Sequence, residues 1–164
     1  MKKELSRRSF LKMGTTAAVG MAVSPSLLMG KSKKKNVAPA PLDRKLKILG
    51  VGIGGRGASV LRGLETEDII GLCDVDWKYA AHVFERYPNA KRYNDYRVMF
   101  KEMLDEADAV VVATADHTHA IIAAEAIAAG KHVYVEKPLT HTVYESRLLT
   151  KLAAKHKVAT QMGN

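Results

Sequence analysis

The hydrophobic pattern divides the chain near residue 45. From Leu46 onward, short apolar runs alternate with stretches of helical spacing. "LKILGV" predicts a first strand, and a glycine-rich turn leads from it into "GASVLRGLE", a helix. "DIIGLCD" predicts a second strand. "WKYAAHVFERY" places Ala80, Val83, Phe84 and Tyr87 on one side, as a helix would. "AKRYN" is a short third strand and "YRVMFKEML" a helix. "DAVVVAT" is hydrophobic without alternation, which predicts a fourth strand buried on both faces. "HAIIAAEAIAAG" is a helix ended by Gly130. "HVYVE", "VYESRLLTKLAAKHK" and "VATQM" complete the series as strand, helix and strand. Six strands separated by helices predict an α/β fold, a doubly wound parallel sheet with right-handed crossovers.

Residues 1–41 have a different pattern. Lys2, Lys3, Arg7, Arg8 and Lys12 precede "MGTTAAVGMAVSPSLLMG", a run too short and too rich in small residues to predict a membrane span. This is the outline of a targeting segment. "SRRSFLK", Ser6 to Lys12, resembles a twin-arginine export signal: paired arginines, a phenylalanine two residues on, then leucine and lysine. It implies the Tat translocon as a partner and a periplasmic or other extracytoplasmic destination. Ala38-Pro39-Ala40 has the small-x-small form of a cleavage site, although Pro41 follows it. No cysteine follows the apolar run, which excludes a lipoprotein anchor. "KSKKKNVAPA" predicts a disordered linker.

Charge follows the same division. The whole chain carries +9 over 164 residues. Residues 1 to 45 hold eleven Lys/Arg against two Asp/Glu, and the remaining fifteen of each sign cancel. The folded part is therefore neutral, which argues against a nucleic-acid-binding domain. Cys73 is the only cysteine, so neither an intrachain disulfide nor a cysteine metal cluster can form.

The candidate chemistry lies at the strand ends. "GVGIGGRG" supplies Gly52-x-Gly54-x-x-Gly57, with Gly55 and Arg56 inside the turn. Gly52 permits the tight turn, Gly54 the approach of a pyrophosphate, and Gly57 close packing of helix on strand, whose N-terminus faces the anion. Asp74 ends the second strand about 20 residues further on, where an acid accepts hydrogen bonds from a ribose 2′-hydroxyl. With Asp76 beside it, a 2′-phosphate would be repelled, which favours NAD over NADP. "TADHTHA" follows the fourth strand and should border the same ligand. Within it, Thr114 or Asp116 is also a candidate N-cap. His117 and His119 lack the partners a metal site needs, so no metal is assigned. Tyr87-x-x-x-Lys91 has the spacing of a short-chain dehydrogenase pair, but Pro88 breaks the helix that would align it. "HVYVEKPLTH" ends a strand in Glu136, Lys137 and Pro138, with a cis Lys137–Pro138 bond left open.

Taken together, the glycine turn, "CDVD", "YNDY", "VVVATADHTHA" and "GKHVYVEKPLT" resemble the Gfo/Idh/MocA oxidoreductases across residues 45–164. The resemblance implies an NAD(P)-binding Rossmann domain, followed in the family by a substrate domain that also forms the oligomer interface. It implies cofactor contacts at Gly52, Gly54, Gly55, Arg56, Gly57, Asp74, Thr114, His119, Glu136, Lys137 and Asn164. Lys137 is implied as the catalytic residue, a desolvated lysine of lowered pKa that relays a proton beside the nicotinamide. Ala115 departs from the family, where many members carry proline, and should alter the rigidity of the loop. The chain stops where the second domain is expected, which predicts a cofactor-binding fragment inactive alone, with apolar surface exposed at its sixth strand. The activity implied is hydride transfer between a sugar or polyol hydroxyl and the nicotinamide. An NAD-dependent glycosidase acting by transient oxidation and elimination, and a non-catalytic dinucleotide-binding module, are the alternatives.

Overall fold

The computed structural model describes residues 43–164. The targeting segment lies outside the described residues. Six strands form one sheet: β1 (Lys47–Val51), β2 (Asp68–Cys73), β3 (Lys91–Tyr93), β4 (Ala109–Val112), β5 (His132–Val135) and β6 (Thr160–Met162). Their order is β3-β2-β1-β4-β5-β6, and every pairing is parallel. The helices between them are α1 (Arg56–Arg62), α2 (Ala81–Arg86), α3 (Tyr96–Met103), α4 (His119–Ala128) and α5 (Val143–His156). Strand order reverses between β1 and β4, so the loops after these two strands diverge and leave a crevice at their carboxyl ends.

The sheet's pleat sorts its side chains into two cores. Leu49, Val51, Val110, Val112, Val133 and Val135 point to one face and pack with Met99 and Phe100 of α3, Ile122 and Ile127 of α4, and Leu149 of α5. Ile48, Leu72 and Val111 point to the other, under Ala58 and Leu61 of α1 and Val83 and Phe84 of α2. β4 is buried on both faces, as its unbroken run of valines predicts. β6 at the sheet's edge is exposed throughout, Met162 included.

The expected elements are all present with shorter bounds. α2 begins four residues later than its periodicity predicts. Asp76 accounts for this: its carboxylate accepts from the Tyr79 amide at 2.9 Å and its carbonyl from the Ala80 amide at 2.9 Å, so Trp77–Ala80 form a separate turn. α4 ends at Gly130 in the left-handed region, φ 77°, with the Lys131 amide returning to the Ala126 carbonyl at 3.0 Å. α5 opens with a capping box. Thr142 Oγ1 accepts from the Glu145 amide at 3.2 Å, and the Glu145 carboxylate accepts from the Thr142 amide at 2.7 Å.

Candidate functional site

The glycine turn joins β1 to α1 and shows why each glycine is required. Gly52 has φ 76°, and a Cβ there would stand 2.6 Å from the Thr114 amide nitrogen. A Cβ on Gly57 would lie well inside 3.0 Å of the Gly52 carbonyl oxygen, so only glycine lets α1 sit this close to the turn. At Gly54 the space is occupied by the ring of Tyr79, 2.5 Å from an ideal Cβ. Tyr79 is mostly exposed and drapes over the turn, a contact with no signal in the sequence.

Asp74 leaves the end of β2 and reaches back to this turn. Its Oδ2 accepts from the Gly54 amide at 2.9 Å and its Oδ1 from the Asp76 amide at 3.0 Å. Each oxygen keeps a further acceptor position for a ligand hydroxyl. The crevice above holds about 710 Å³ and is lined by the glycine turn, Asp74, Tyr79, the loop after β3 and the Thr114–Thr118 loop, with Val75 and Ile121 exposed at its rim. Burial pushes the Cys73 thiol beneath it up to about 12, and the Asp74 and Asp95 carboxylates add to the effect. Thr114 is at the crevice wall, its Oγ1 accepting from Thr118 Oγ1 at 2.7 Å. Ala115 holds φ −67°, the value a proline ring would impose, so the loop keeps its shape without one.

His119 stands behind the crevice. It is 1% exposed, with Nδ1 2.7 Å from the Pro138 carbonyl oxygen and Nε2 3.0 Å from that of Thr114. A neutral ring can donate to one of these carbonyls and an imidazolium to both. It ties the loop after β4 to the loop after β5 and presents no free nitrogen to a ligand. His117 and Asp116 point outward to solvent.

At the end of β5, Glu136 is buried and held from three directions. Arg56 Nε at the start of α1 donates to its Oε1 at 3.0 Å, Tyr134 Oη to the same oxygen at 3.2 Å, and the Lys137 amide to its Oε2 at 3.3 Å. Burial alone would raise this carboxyl, but the Arg56 guanidinium leads a set of donors that outweighs it and holds the group below the usual range. Gly163 completes the cluster, because a Cβ there would stand 2.7 Å from Glu136 Oε1. The Arg56–Glu136 pair spans eighty positions of sequence, a separation that no local pattern encodes. The Lys137–Pro138 peptide is cis. Lys137 itself is exposed and makes no ion pair among the described residues, so the desolvation expected of a proton-relay lysine is not supplied by these residues. Asn164 is exposed next to Gly163, whose amide donates to the Val135 carbonyl at 2.8 Å.

A glycine turn before a helix, at the point where strand order reverses, and an acid that closes the second strand and reaches back to that turn define an NAD-binding Rossmann domain. Residues 45–164 match the family model described as "Oxidoreductase family, NAD-binding Rossmann fold", and the chain belongs to that family, the Gfo/Idh/MocA oxidoreductases. It is 28% identical over 163 residues to the α-N-acetylgalactosaminidase of Shewanella oneidensis, covering 86% of this chain and 35% of that one. It is 29% identical over 111 residues to the inositol 2-dehydrogenase of Salmonella agona, covering 65% of this chain and 32% of that one. The crystal structure of GenD2 from gentamicin A biosynthesis, in complex with NAD, superposes with a TM-score of 0.65 at 31% identity, covering 76% of this chain and 36% of that one. The chain thus spans about a third of the length of these relatives.

Proposed function

We propose that the chain binds NAD for an exported oxidoreductase that moves a hydride between a sugar or polyol hydroxyl and the nicotinamide. The observation that carries this is the pairing of Asp74 with the Gly54 amide, which sets a carboxylate at the mouth of the glycine turn before any ligand arrives. In this reading Asp74 accepts from the ribose hydroxyls, and its charge with that of Asp76 disfavours a 2′-phosphate. The residues present fit the cofactor, since Gly52 and Gly57 let the turn, the Thr114 loop and α1 approach each other closely, the α1 N-terminus faces the turn, and among the described residues only the exposed Tyr79 ring lies over it. NAD when bound supplies the hydride acceptor. Lys137 holds the proton that leaves the substrate hydroxyl, and Glu136, fixed by Arg56 and Tyr134, sets the backbone from which Lys137 projects. Support for a sugar-like substrate comes from the inositol 2-dehydrogenase relative and from the WlbA dehydrogenase structure in complex with NADH and UDP-GlcNAcA, 27% identical with a TM-score of 0.63. Export through the Tat translocon is supported by "SRRSFLK".

A second reading is a glycosidase that oxidises a sugar hydroxyl transiently and regenerates its cofactor within the cycle. The relatives described as glycosyl hydrolase family 109 proteins and an α-N-acetylgalactosaminidase favour it. Turnover assays on the gene product separate the two. Net NADH formed from free sugars or polyols supports the dehydrogenase, and glycoside cleavage without net NADH the glycosidase. Absence of both activities alongside dinucleotide binding would refute both and leave a binding module.

A further inference from the structure

We propose that Asp95 is a cofactor-selectivity residue, which acts by pairing with Arg97 so that the described residues lining the crevice offer no unpaired cation to a 2′-phosphate. This rests on the reading of the crevice as an NAD site. The loop after β3 begins beside Asp74, whose amide donates to the Tyr93 carbonyl at 3.1 Å, and it carries Asn94 and Asp95 to the crevice wall. Arg97 follows at the start of α3. Among the described residues that line the crevice, it is the one basic side chain.

A guanidinium in that place is the group a 2′-phosphate needs, because its fork matches two phosphate oxygens. Here one edge of the fork, Nε with Nη2, is already filled. Arg97 Nε donates to Asp95 Oδ1 at 3.0 Å and Oδ2 at 3.2 Å, and Nη2 donates to Oδ2 at 2.6 Å. The pair is solvent-facing, with 72% of the Arg97 side chain and 33% of Asp95 exposed. Such a pair does little for stability. Its effect is on potential: with Arg97 neutralised, the charge left among the described residues of the crevice wall is the carboxylate of Asp74. Asp95 also caps α3, accepting from the Arg97 amide at 2.9 Å. Capping needs an oxygen and no charge, and asparagine does it as well as aspartate. The negative charge of Asp95 is therefore surplus to its helical role and accounts for the masking of Arg97.

The test is calorimetric titration of NAD and NADP, separately, into the 164-residue chain and its Asp95→Asn, Arg97→Gln and double variants at low ionic strength. Asp95→Asn keeps the cap, which the circular dichroism spectrum checks, and frees the guanidinium. It should raise the ratio of NADP to NAD affinity about tenfold, the gain from one charge-assisted contact. Adding Arg97→Gln should return the ratio to its starting value. NAD binding with no change of ratio in Asp95→Asn overturns this proposal alone, as does a gain that survives Arg97→Gln. A folded chain that binds neither dinucleotide overturns the NAD reading of the crevice and this proposal with it.

Discussion

Replacing Gly57 by alanine tests the fit of α1 against the glycine turn. The new methyl would lie well inside 3.0 Å of the Gly52 carbonyl oxygen and 3.1 Å from its carbon. Both obstacles are backbone and cannot rotate away. The Gly52 residue is itself pinned, with φ 76° and its amide donating to the Cys73 carbonyl at 2.9 Å. Restoring an ordinary carbon–oxygen separation of about 3.3 Å moves the helix outward by about 1 Å. That shift pulls Ala58 and the fully buried Leu61 away from the sheet. Overpacking of this kind costs about 1–3 kcal/mol, and the rigid obstacle argues for the upper half of that range. Alanine's better helix propensity offsets about 0.5–1 kcal/mol. The expected net loss is about 2 kcal/mol, which lowers Tm by about 6–10 °C for a domain of this size. NAD affinity should fall about tenfold, because the displaced helix N-terminus no longer faces the phosphates. Gly130→Ala is the comparison. Its φ is 77° but a Cβ there meets nothing within 4 Å, so it should lose only the backbone term of about 1–2 kcal/mol and keep full NAD affinity. Thermal unfolding by circular dichroism and calorimetric NAD titration measure both. A Gly57→Ala chain with unchanged Tm and unchanged affinity would refute the packing argument.

Other expectations follow from individual contacts. Asp74→Ala should weaken NAD at least tenfold and erase any preference over NADP, measured by calorimetry; unchanged titrations would remove Asp74 from the site. Asp108 is held far below the usual carboxylate range, first by the Arg44 guanidinium at 2.6 and 2.7 Å and also by the Lys47 amide at 2.8 Å. A depressed folded-state pKa means its stabilisation is complete above the unfolded value of about 3.9 and fades as pH falls below it. Asp108→Asn should therefore be less stable than the parent at pH 7, with the gap shrinking steadily as pH falls below about 4 in acid unfolding series; a gap of the same size at pH 2 as at pH 7 would contradict this. Arg7→Lys with Arg8→Lys should keep a reporter fusion in the cytoplasm, and continued export would count against the twin-arginine reading.

The parts of the fold legible in the sequence are those governed by local pattern. Unbroken valines announced β4, Gly130 the end of α4, and the glycine spacing the turn after β1. The capping box at Thr142 and Glu145 is equally local, a threonine and a glutamate three positions apart at the start of a helical pattern. The relations that escaped are between residues distant in the chain. Tyr79 over Gly54, Arg56 on Glu136 and His119 bracketed by two carbonyls depend on how strands are ordered, which no periodicity encodes. His119 shows the consequence. The family resemblance implies a cofactor contact there, and the structure sets both ring nitrogens against backbone carbonyls of the two loops, fastening them together.

The central claim is that a dinucleotide binds in the crevice between the β1 and β4 loops. Hydrogen exchange of the 164-residue chain with and without saturating NAD tests it most directly. Protection should appear at the amides of Gly52–Gly57, Asp74–Asp76 and Thr114–Thr118, with no change along the exposed edge at β6. Protection confined to another surface, or none at all under saturating NAD, would contradict the account.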